Sequence, residues 1–220
     1  MKILSISDIH GNTQIIEFLS PRIKEADLIL LSGDITHFGK ETQVKMVIDT
    51  IERYNQNILA IPGNCDYPEV NEFLDKKGMN LHGKIKIIQG ISFVGFGGSL
   101  PCPTKTPYEF SEEELKTGWK NALKNYDPKT TLVFISHQPP FETINDKLPT
   151  GEHVGSIAVK NIIEEYQPLA CFSGHIHEGK GMDHIGDTSI INPGPLSSGK
   201  YAYAEIENNL LKDIQIKCIV

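Results

Sequence analysis

The feature that most constrains the fold is an alternation of short apolar segments with helical patterns near the start of the chain. Residues 2–8 (KILSISD), 27–34 (DLILLSGD) and 57–66 (NILAIPGNCD) are β-type runs that end in polar or glycine-containing turns. Residues 13–26 and 41–54, which separate them, repeat apolar side chains at helical spacing. Strand, helix, strand, helix, strand at these lengths predicts parallel strands joined by crossover helices.

The rest of the chain predicts further strands, two helices and two long loops. Residues 111–126 and 154–166 are predicted helices, the first opened by a Ser-x-x-Glu capping box. Residues 97–110 and 138–153 are predicted loops, and loops this long in compact domains are usually functional. Turn-forming pairs predict three hairpins, at Gln89-Gly90, Gly186-Asp187 and Asn208-Asn209. With no repeat or linker, residues 1–220 are expected to form a single α/β domain.

Charge and cysteine usage narrow the class of protein. The formal net charge is −7 and no stretch is polybasic, so no nucleic-acid partner is expected. The four cysteines form no C-x-x-C pair, which indicates reduced thiols and a cytoplasmic location. The N-terminal apolar run stops at Asp8, too early for a signal peptide or a membrane span, so no membrane association is expected.

Metal-binding side chains follow the predicted strands. They are Asp8, His10, Asp34, Asn64, His137, His175 and His177. Because ligands bind beyond the carboxyl ends of strands in open α/β sheets, these side chains are expected to converge. Taken alone, each signal is weak, since a histidine after a strand is more often structural and Gly-Asp or Gly-Asn is a common turn. The ordered set, in which most members stand beside a glycine, is far more specific.

The ordered motifs D-x-H, G-D, G-N-x-D, a lone histidine and G-H-x-H resemble the calcineurin-like metallophosphoesterase superfamily. The segments HQPPFETINDKLPTGEHVGS and INPGPL are similar to those of its small prokaryotic phosphoesterases. The resemblance covers residues 8–177 and extends to the β-rich tail. It implies an α/β fold (an α+β sandwich) in which two mixed β-sheets pack face to face and are flanked by helices. It also implies a dinuclear metal-dependent phosphohydrolase, a phosphodiesterase or phosphatase, that acts on a small phosphate ester through metal-activated hydroxide.

The resemblance further implies how the ligands divide. Asp8, His10, Asp34 and His177 would hold one ion; Asp34, Asn64, His137 and His175 would hold the other, with Asp34 bridging. Four imidazoles with oxygen ligands suit manganese, iron, zinc, nickel or cobalt better than calcium or magnesium, and manganese is our first expectation. Two divalent ions with two carboxylates leave the centre cationic, so it can attract a phosphate.

The chain departs from the family pattern at Cys65, where many relatives have a histidine that protonates the leaving group. We therefore expect either a preference for good leaving groups or an acid supplied from elsewhere, although Cys65 could simply pack. Asp66, His153 and His37 are the candidates for that acid. The predicted catalytic residues are Asp34, Asn64, Asp66 and His153.

Two alternatives and several lesser sites accompany this prediction. A catalytically silent scaffold of the same fold would be expected to lose ligands, and a nuclease would be expected to add basic surface. An apolar strip in the β tail could support a homodimer. Tyr108 and Phe141 could face a substrate ring, although loop anchoring is favoured, and Asn192 is expected to start a tight turn under the metals. His82 and His184 are expected to be structural.

Overall fold

The computed structural model describes residues 1–219. Two mixed β-sheets pack face to face and carry α-helices on their outer faces, which confirms the predicted fold class. The strands are β1 Lys2–Ile6, β2 Leu28–Ser32, β3 Ile58–Ile61, β4 Lys84–Ile88, β5 Ile91–Phe96, β6 Thr131–Ser136, β7 Ala170–Phe172, β8 Gly181–Ile185, β9 Thr188–Asn192, β10 Lys200–Glu207 and β11 Leu210–Cys218. The helices are α1 Thr13–Glu25, α2 Glu41–Glu52, α3 Pro68–Lys76, α4 Glu112–Leu123 and α5 Ile157–Tyr166.

The first sheet has the strand order β11-β10-β1-β2-β3. Strands β1, β2 and β3 are parallel, as the alternation of strands and helices predicts, and β10 closes onto β1 in the antiparallel direction. Every residue of β2 is buried, because helices cover one face of the sheet and the second sheet covers the other. The carboxyl ends of β1, β2 and β3 therefore lie at the same edge of the first sheet.

The second sheet has the order β4-β5-β6-β7-β9-β8. Its central strands β5, β6, β7 and β9 are parallel, and antiparallel hairpins add β4 and β8 at its two edges. Both of these hairpins, and the β10–β11 hairpin of the first sheet, turn at the predicted residue pairs. Ser111 caps α4, since its hydroxyl accepts from the Glu114 backbone while the Glu114 side chain returns to Ser111.

Three apolar clusters hold the layers together. One lies between the first sheet and α1–α3, one between the two sheets, and one between the second sheet and α4–α5. Strand alternation sorts the side chains: Leu4 and Ile6 of β1 face the helices, whereas Ile3 faces the other sheet. The two sheets are thus pressed together by their own side chains, and their strand ends can share one site.

Helix α3 was not predicted from the sequence. Pro68 stands at its first position, and Val70, Phe73 and Leu74 follow at helical spacing, but the segment comes directly after a turn-rich stretch. The four cysteines are free thiols in the described residues, as expected. Nowhere between residues 1 and 219 does the chain form a helix with the length and apolar character needed to cross a membrane.

Candidate metal centre

The seven predicted ligands follow five strand ends that meet where the two sheets face each other. Asp8, His10, Asp34 and Asn64 come after β1, β2 and β3 of the first sheet, and the remaining three histidines come after β6 and β7 of the second sheet. Beside this edge, an isolated parallel β-bridge joins Ser7, directly after β1, to Pro195. The site is therefore shared between two sheets, and neither sheet supplies it alone.

A first group of donors lies at the solvent side. His10 Nε2 is 3.4 Å from His177 Nε2, and His177 Nε2 is 3.6 Å from Asp8 Oδ1. Asp8 is 1% exposed, whereas the His177 side chain is 43% exposed. The approach to the site from solvent is thus on the side of the two histidines.

A second group of donors lies deeper. His137 Nε2 is 3.0 Å from Asn64 Oδ1 and 3.4 Å from Asp34 Oδ1, and all three residues are buried. The other oxygen of Asp34, Oδ2, is 3.8 Å from His10 Nε2. The Asp34 carboxylate therefore spans the two groups, with one oxygen facing a histidine of each.

His175 joins the second group through its ring. Its ring centroid is 5.2 Å from that of His137, and its Nε2 is 3.9 Å from Cys102 Sγ. Its backbone N–H donates to the Asp8 carboxylate at 3.2 Å. The two histidines of the H-x-H motif thus lie on different sides of the site, and their assignment to separate ions stays a prediction.

The backbone at the site is held in uncommon conformations. Asp8, His10, Asp34 and His175 all have left-handed φ angles, between 48° and 68°. Such conformations persist only where surrounding contacts enforce them, and they cluster at functional sites. At Gly63 the close approach is obligatory, because a Cβ would overlap the Asp34 carboxylate.

The second donor group has the chemistry of a cation site. His137 Nδ1 lies 2.8 Å from the Ser32 carbonyl oxygen, which can only accept, so Nδ1 carries the ring proton. In the neutral ring, Nε2 then presents a lone pair to two oxygen acceptors, Asn64 Oδ1 and Asp34 Oδ1. Three converging lone pairs with no proton between them repel one another unless a cation binds there. Donor separations of 3.0 and 3.4 Å also match those around one ion with bonds of about 2.1 Å.

Burial and close polar neighbours shift the pKa values of the residues at the site. Burial acts to raise the pKa of Asp8, but the combined interactions with His177, His137 and Ser7 outweigh it and lower that pKa. Burial raises the pKa of Asp34. Burial lowers the pKa of His175 to about 3 and also lowers that of His10, which keeps both rings neutral, as metal ligands must be. The hydrogen bond with Asp8 raises the pKa of His177.

Cys65 borders both donor groups. Its Sγ lies within 4.8 Å of ligand atoms of His10 and Asp34, and its backbone N–H donates to Asp34 Oδ1 at 2.8 Å. Burial and the neighbouring Asp34 charge raise the pKa of the thiol. Cys65, the residue at which the chain departs from the family pattern, therefore lies directly beside the predicted ligands.

Asp66, one of the predicted proton donors, is held by hydrogen bonds from two loops. It is fully buried, and its oxygens accept from Ile35 N, Thr36 N, Thr36 Oγ1 and Gly63 N at 2.7–3.0 Å. Four donors occupy the carboxylate, which favours a role in positioning. Burial raises the pKa of Asp66 to about 6, and its role as an acid stays a prediction. Asp66 ties the loop after β2 to the loop after β3, which carry Asp34 and Asn64.

His37 and His153 occupy different places. The exposed His37 ring packs edge-on against His10, with centroids 5.5 Å apart, so it stands at the solvent side of the site. His153 donates through Nδ1 to the buried Asp146 carboxylate at 2.7 Å. In residues 1–219 it makes no hydrogen bond with a predicted ligand, and its place in the reaction stays a prediction.

Three positioning contacts were missed or only partly predicted. Cys102, in the loop 97–110, lies 3.9 Å from both His175 Nε2 and Asn64 Nδ2, and no sequence periodicity marks that loop. Gln138 accepts from Leu100 N and donates to Val154 O, so it fastens both long loops beside His137. Asn192 Nδ2 donates to the carbonyls of residues 174 and 176 while its Oδ1 accepts from Gly194 N, in the predicted turn.

Tyr108 anchors its loop, which is the interpretation favoured from the sequence. Its hydroxyl is 3.3 Å from His82 Nε2, and His82 Nδ1 accepts from Gly97 N at 2.9 Å. The His82 ring packs against both Phe96 and Phe110, consistent with its predicted structural role. Phe141 packs against His153, with ring centroids 6.1 Å apart.

Two packed mixed sheets with carboxylate, amide and imidazole donors at their shared strand ends define a metal-dependent hydrolase of the metallophosphoesterase class. The sequence profile of the calcineurin-like phosphoesterase family matches residues 1–179. The chain belongs to this family, whose members use divalent metal ions to hydrolyse phosphate esters. It is a metal-dependent phosphoesterase, and the silent-scaffold alternative is not retained.

Three similar proteins illustrate the match. An uncharacterized protein of Methanocaldococcus jannaschii is 39% identical over 205 residues, which cover 90% of this chain and 89% of that protein. A probable glycerophosphodiester phosphodiesterase, GpdQ, of Arcobacter nitrofigilis is 27% identical, over 69% of this chain and 56% of its own length. A probable cyclic nucleotide phosphodiesterase of Synechococcus sp. is 23% identical, over 72% of this chain and 62% of its own length.

The fold is shared with a solved structure. The protein TT1561 of Thermus thermophilus superposes with a TM-score of 0.78 at 20% identity, covering 100% of this chain and 99% of that one. At this identity the likeness concerns the fold. It supports two packed sheets with flanking helices as the architecture of the whole described chain.

Proposed function

We propose that this protein hydrolyses a small phosphodiester at a centre of two divalent transition-metal ions, with manganese as the first candidate. The observation that carries the proposal is the Asp34 carboxylate, whose two oxygens face His10 in one donor group and His137 in the other. A carboxylate in this position is suited to bridge two ions. Iron, zinc, nickel and cobalt suit the same mixture of imidazole and oxygen donors.

Each donor group would hold one ion. The first consists of Asp8, His10, His177 and one oxygen of Asp34; the second consists of Asn64, His137, His175 and the other oxygen of Asp34. When bound, the ions would supply positive charge for the phosphate and a nucleophilic water at neutral pH. The chain itself fixes the imidazoles, since Ser32 O holds the proton of His137 on Nδ1 and Cys102 faces His175 Nε2.

The preference for a diester rests on Cys65 and on the relatives. A thiol that burial and Asp34 keep protonated is a poor substitute for a histidine acid, so the leaving group must depart with little help. Two relatives are probable phosphodiesterases, of glycerophosphodiesters and of cyclic nucleotides. We propose His37 and His153 as the remaining candidates for a proton donor, and Asp66 as the residue that positions the two ligand loops.

The test is hydrolysis of bis-p-nitrophenyl phosphate and p-nitrophenyl phosphate by metal-stripped protein, with manganese, nickel, zinc or magnesium added back. We expect metal-dependent turnover that favours the diester, two ions bound per chain by elemental analysis, and a loss of at least about 100-fold in Asp34→Asn. Asp49→Asn is the matched control, because Asp49 is a half-exposed carboxylate of α2 paired with Lys45. Two bound ions with no turnover of either ester would refute the proposed activity, and one bound ion would refute the dinuclear centre.

A further inference from the structure

One exposed aromatic side chain beside the metal centre is poorly explained by folding. Phe38 lies in the loop after β2, four residues beyond Asp34, and is 45% exposed. Its φ is +53°, in the left-handed region where bulky residues are rare. Because the ring is exposed, it contributes little hydrophobic free energy to folding, and a left-handed backbone disfavours a side chain of this size. Stability alone would favour asparagine or glycine at this position.

Aromatic contacts connect Phe38 to the predicted ligands. Its ring packs edge-on against His37, with centroids 4.9 Å apart and planes at 78°. The His37 ring in turn packs edge-on against His10, with centroids 5.5 Å apart and planes at 80°. Because His10 Nε2 faces Asp34 and His177, Phe38 stands at the border of the donor groups on their solvent side.

The turn that carries Phe38 is fixed by buried contacts. Its backbone N–H donates to the Cys65 carbonyl oxygen at 3.1 Å. Thr36 Oγ1 donates to Asp66 at 2.7 Å, and Gly39 N donates to Thr36 Oγ1 at 3.0 Å. The backbone at Phe38 is therefore positioned by the same loops that position Asp34 and Asn64. A side chain held in place before a ligand arrives loses little freedom on binding.

We infer that Phe38 determines specificity for the proposed activity, and that its ring packs against a planar aromatic group, such as a nucleobase, carried by the ester. A flat ring of fixed orientation makes its best contacts with another flat ring. A phosphate at the cationic centre with a base against Phe38 describes a nucleotide ester. A glycerol ester would leave the ring in water. The inference rests on the proposed function for the position of the phosphate.

The test compares two five-membered cyclic phosphates, adenosine 2′,3′-cyclic phosphate and ethylene phosphate, of which only the first carries a ribose and an adenine base. In Phe38→Asn we expect the ratio of kcat/KM for the adenosine ester to that for ethylene phosphate to fall about tenfold. The melting temperature is expected to stay the same or to rise, since asparagine accepts a left-handed backbone. Phe38→Tyr keeps a ring and is expected to keep the ratio near that of the wild type.

Phe18→Asn is the matched control, because Phe18 is 74% exposed on α1 and contacts none of the predicted ligands through its ring in the described chain. We expect it to leave the ratio unchanged. If Phe38→Asn changes kcat/KM for both esters equally, or lowers the melting temperature while the ratio is unchanged, Phe38 is a structural residue and the inference is wrong.

A binding measurement separates this inference from the proposed function. If the wild type hydrolyses neither ester, the proposed function fails, and equilibrium dialysis of adenosine 5′-monophosphate with manganese-loaded protein then decides the role of Phe38. Binding about tenfold weaker in Phe38→Asn than in the wild type would support the aromatic contact. Equal binding by the two proteins, or no binding by the wild type, would overturn it.

Discussion

Cys65 stands at the meeting point of the two ligand loops. Its backbone N–H donates to Asp34, its carbonyl accepts from Phe38, and its thiol borders the ligand atoms of His10. The backbone contacts are independent of the side chain, so substitution at this position is expected to change the chemistry at the site more than its geometry.

Restoring a histidine at this position tests the role of the thiol. In Cys65→His we expect turnover of p-nitrophenyl phosphate to rise by about tenfold to 100-fold, because a positioned imidazole can protonate the departing oxygen. Bis-p-nitrophenyl phosphate releases the same p-nitrophenolate but carries less negative charge for an imidazole to offset, so its turnover is expected to gain less. The measurement is kcat for both esters with manganese, and Cys218→His, an exposed position on β11, is the control. An unchanged ratio of monoester to diester turnover would contradict this role for residue 65.

At the scale of elements, the loop 97–110 is held against the second sheet by a partly buried histidine. His82 accepts from Gly97 N and meets the Tyr108 hydroxyl, and its ring packs against both Phe96 and Phe110. Burial lowers the pKa of His82 from 6.5 to about 4. The neutral ring is therefore part of the loop structure, and protonation must weaken it.

This contact predicts a pH dependence of stability. Between pH 6.5 and 4 the unfolded chain binds a proton at His82 that the folded chain refuses, so its contribution is present above pH 6.5 and is lost as pH falls toward 4. The loss from this group approaches about 3 kcal/mol. Urea unfolding at several pH values should show a smaller loss for His82→Gln than for the wild type. If the free energy of unfolding falls equally with pH in the two proteins, His82 is not the source of the pH dependence.

Local patterns in the sequence predict much of the fold. The alternation of strands and helices, the capping box at Ser111 and the hairpin pairs each depend on neighbouring residues, and each is found where it was predicted. The pairing of β10 with β1 joins residues about 200 positions apart, and no local pattern determines it. Helix α3 was missed because its apolar spacing is short and begins directly after a turn.

The predicted ligands could be identified because they follow strand ends in a fixed order. Other residues of the site could not be identified from the sequence. A turn aspartate and a proton donor look alike in sequence, and only the four hydrogen bonds of Asp66 reveal its positioning geometry. Cys102 reaches His175 from a loop whose path depends on the anchoring of Tyr108. Contacts of this kind depend on tertiary packing, which sequence periodicity does not encode.

At the scale of the whole molecule, the predicted ligands come from both sheets. An ion held by Asn64 and His137 would join the loop after β3 of the first sheet to the end of β6 in the second. Metal binding should therefore stabilise the packing of one sheet on the other. A ligand that binds only the folded state stabilises it in proportion to the logarithm of its concentration.

Addition of manganese to stripped protein is expected to raise the melting temperature. At about 100 times the dissociation constant the gain is about 2.7 kcal/mol, which corresponds to roughly 5–10 °C for a chain of this size. Asp34→Asn should show a much smaller shift, and Asp49→Asn should match the wild type. The measurement is differential scanning fluorimetry over a manganese titration. Equal shifts in all three proteins would mean that manganese binds elsewhere.

The β tail remains the predicted location of a homodimer contact. Leu210, at the turn between β10 and β11, is 56% exposed. A cavity of about 660 Å³ lies between α1 and these strands, lined in part by Tyr201, Tyr203 and Lys217. This surface is on the first sheet and is lined by none of the predicted metal ligands.

The left-handed backbone at Asp8, His10, Asp34 and His175 also bears on how such a site can decay over evolutionary time. Once selection for catalysis is relaxed, drift at these four positions is steered by conformation, since glycine, asparagine and aspartate accept this backbone and β-branched residues do not. A lineage that has abandoned the chemistry would thus accumulate glycine and asparagine there and become more stable as it did so. An inactive descendant could then be recognised by glycine or asparagine at the positions of the former ligands.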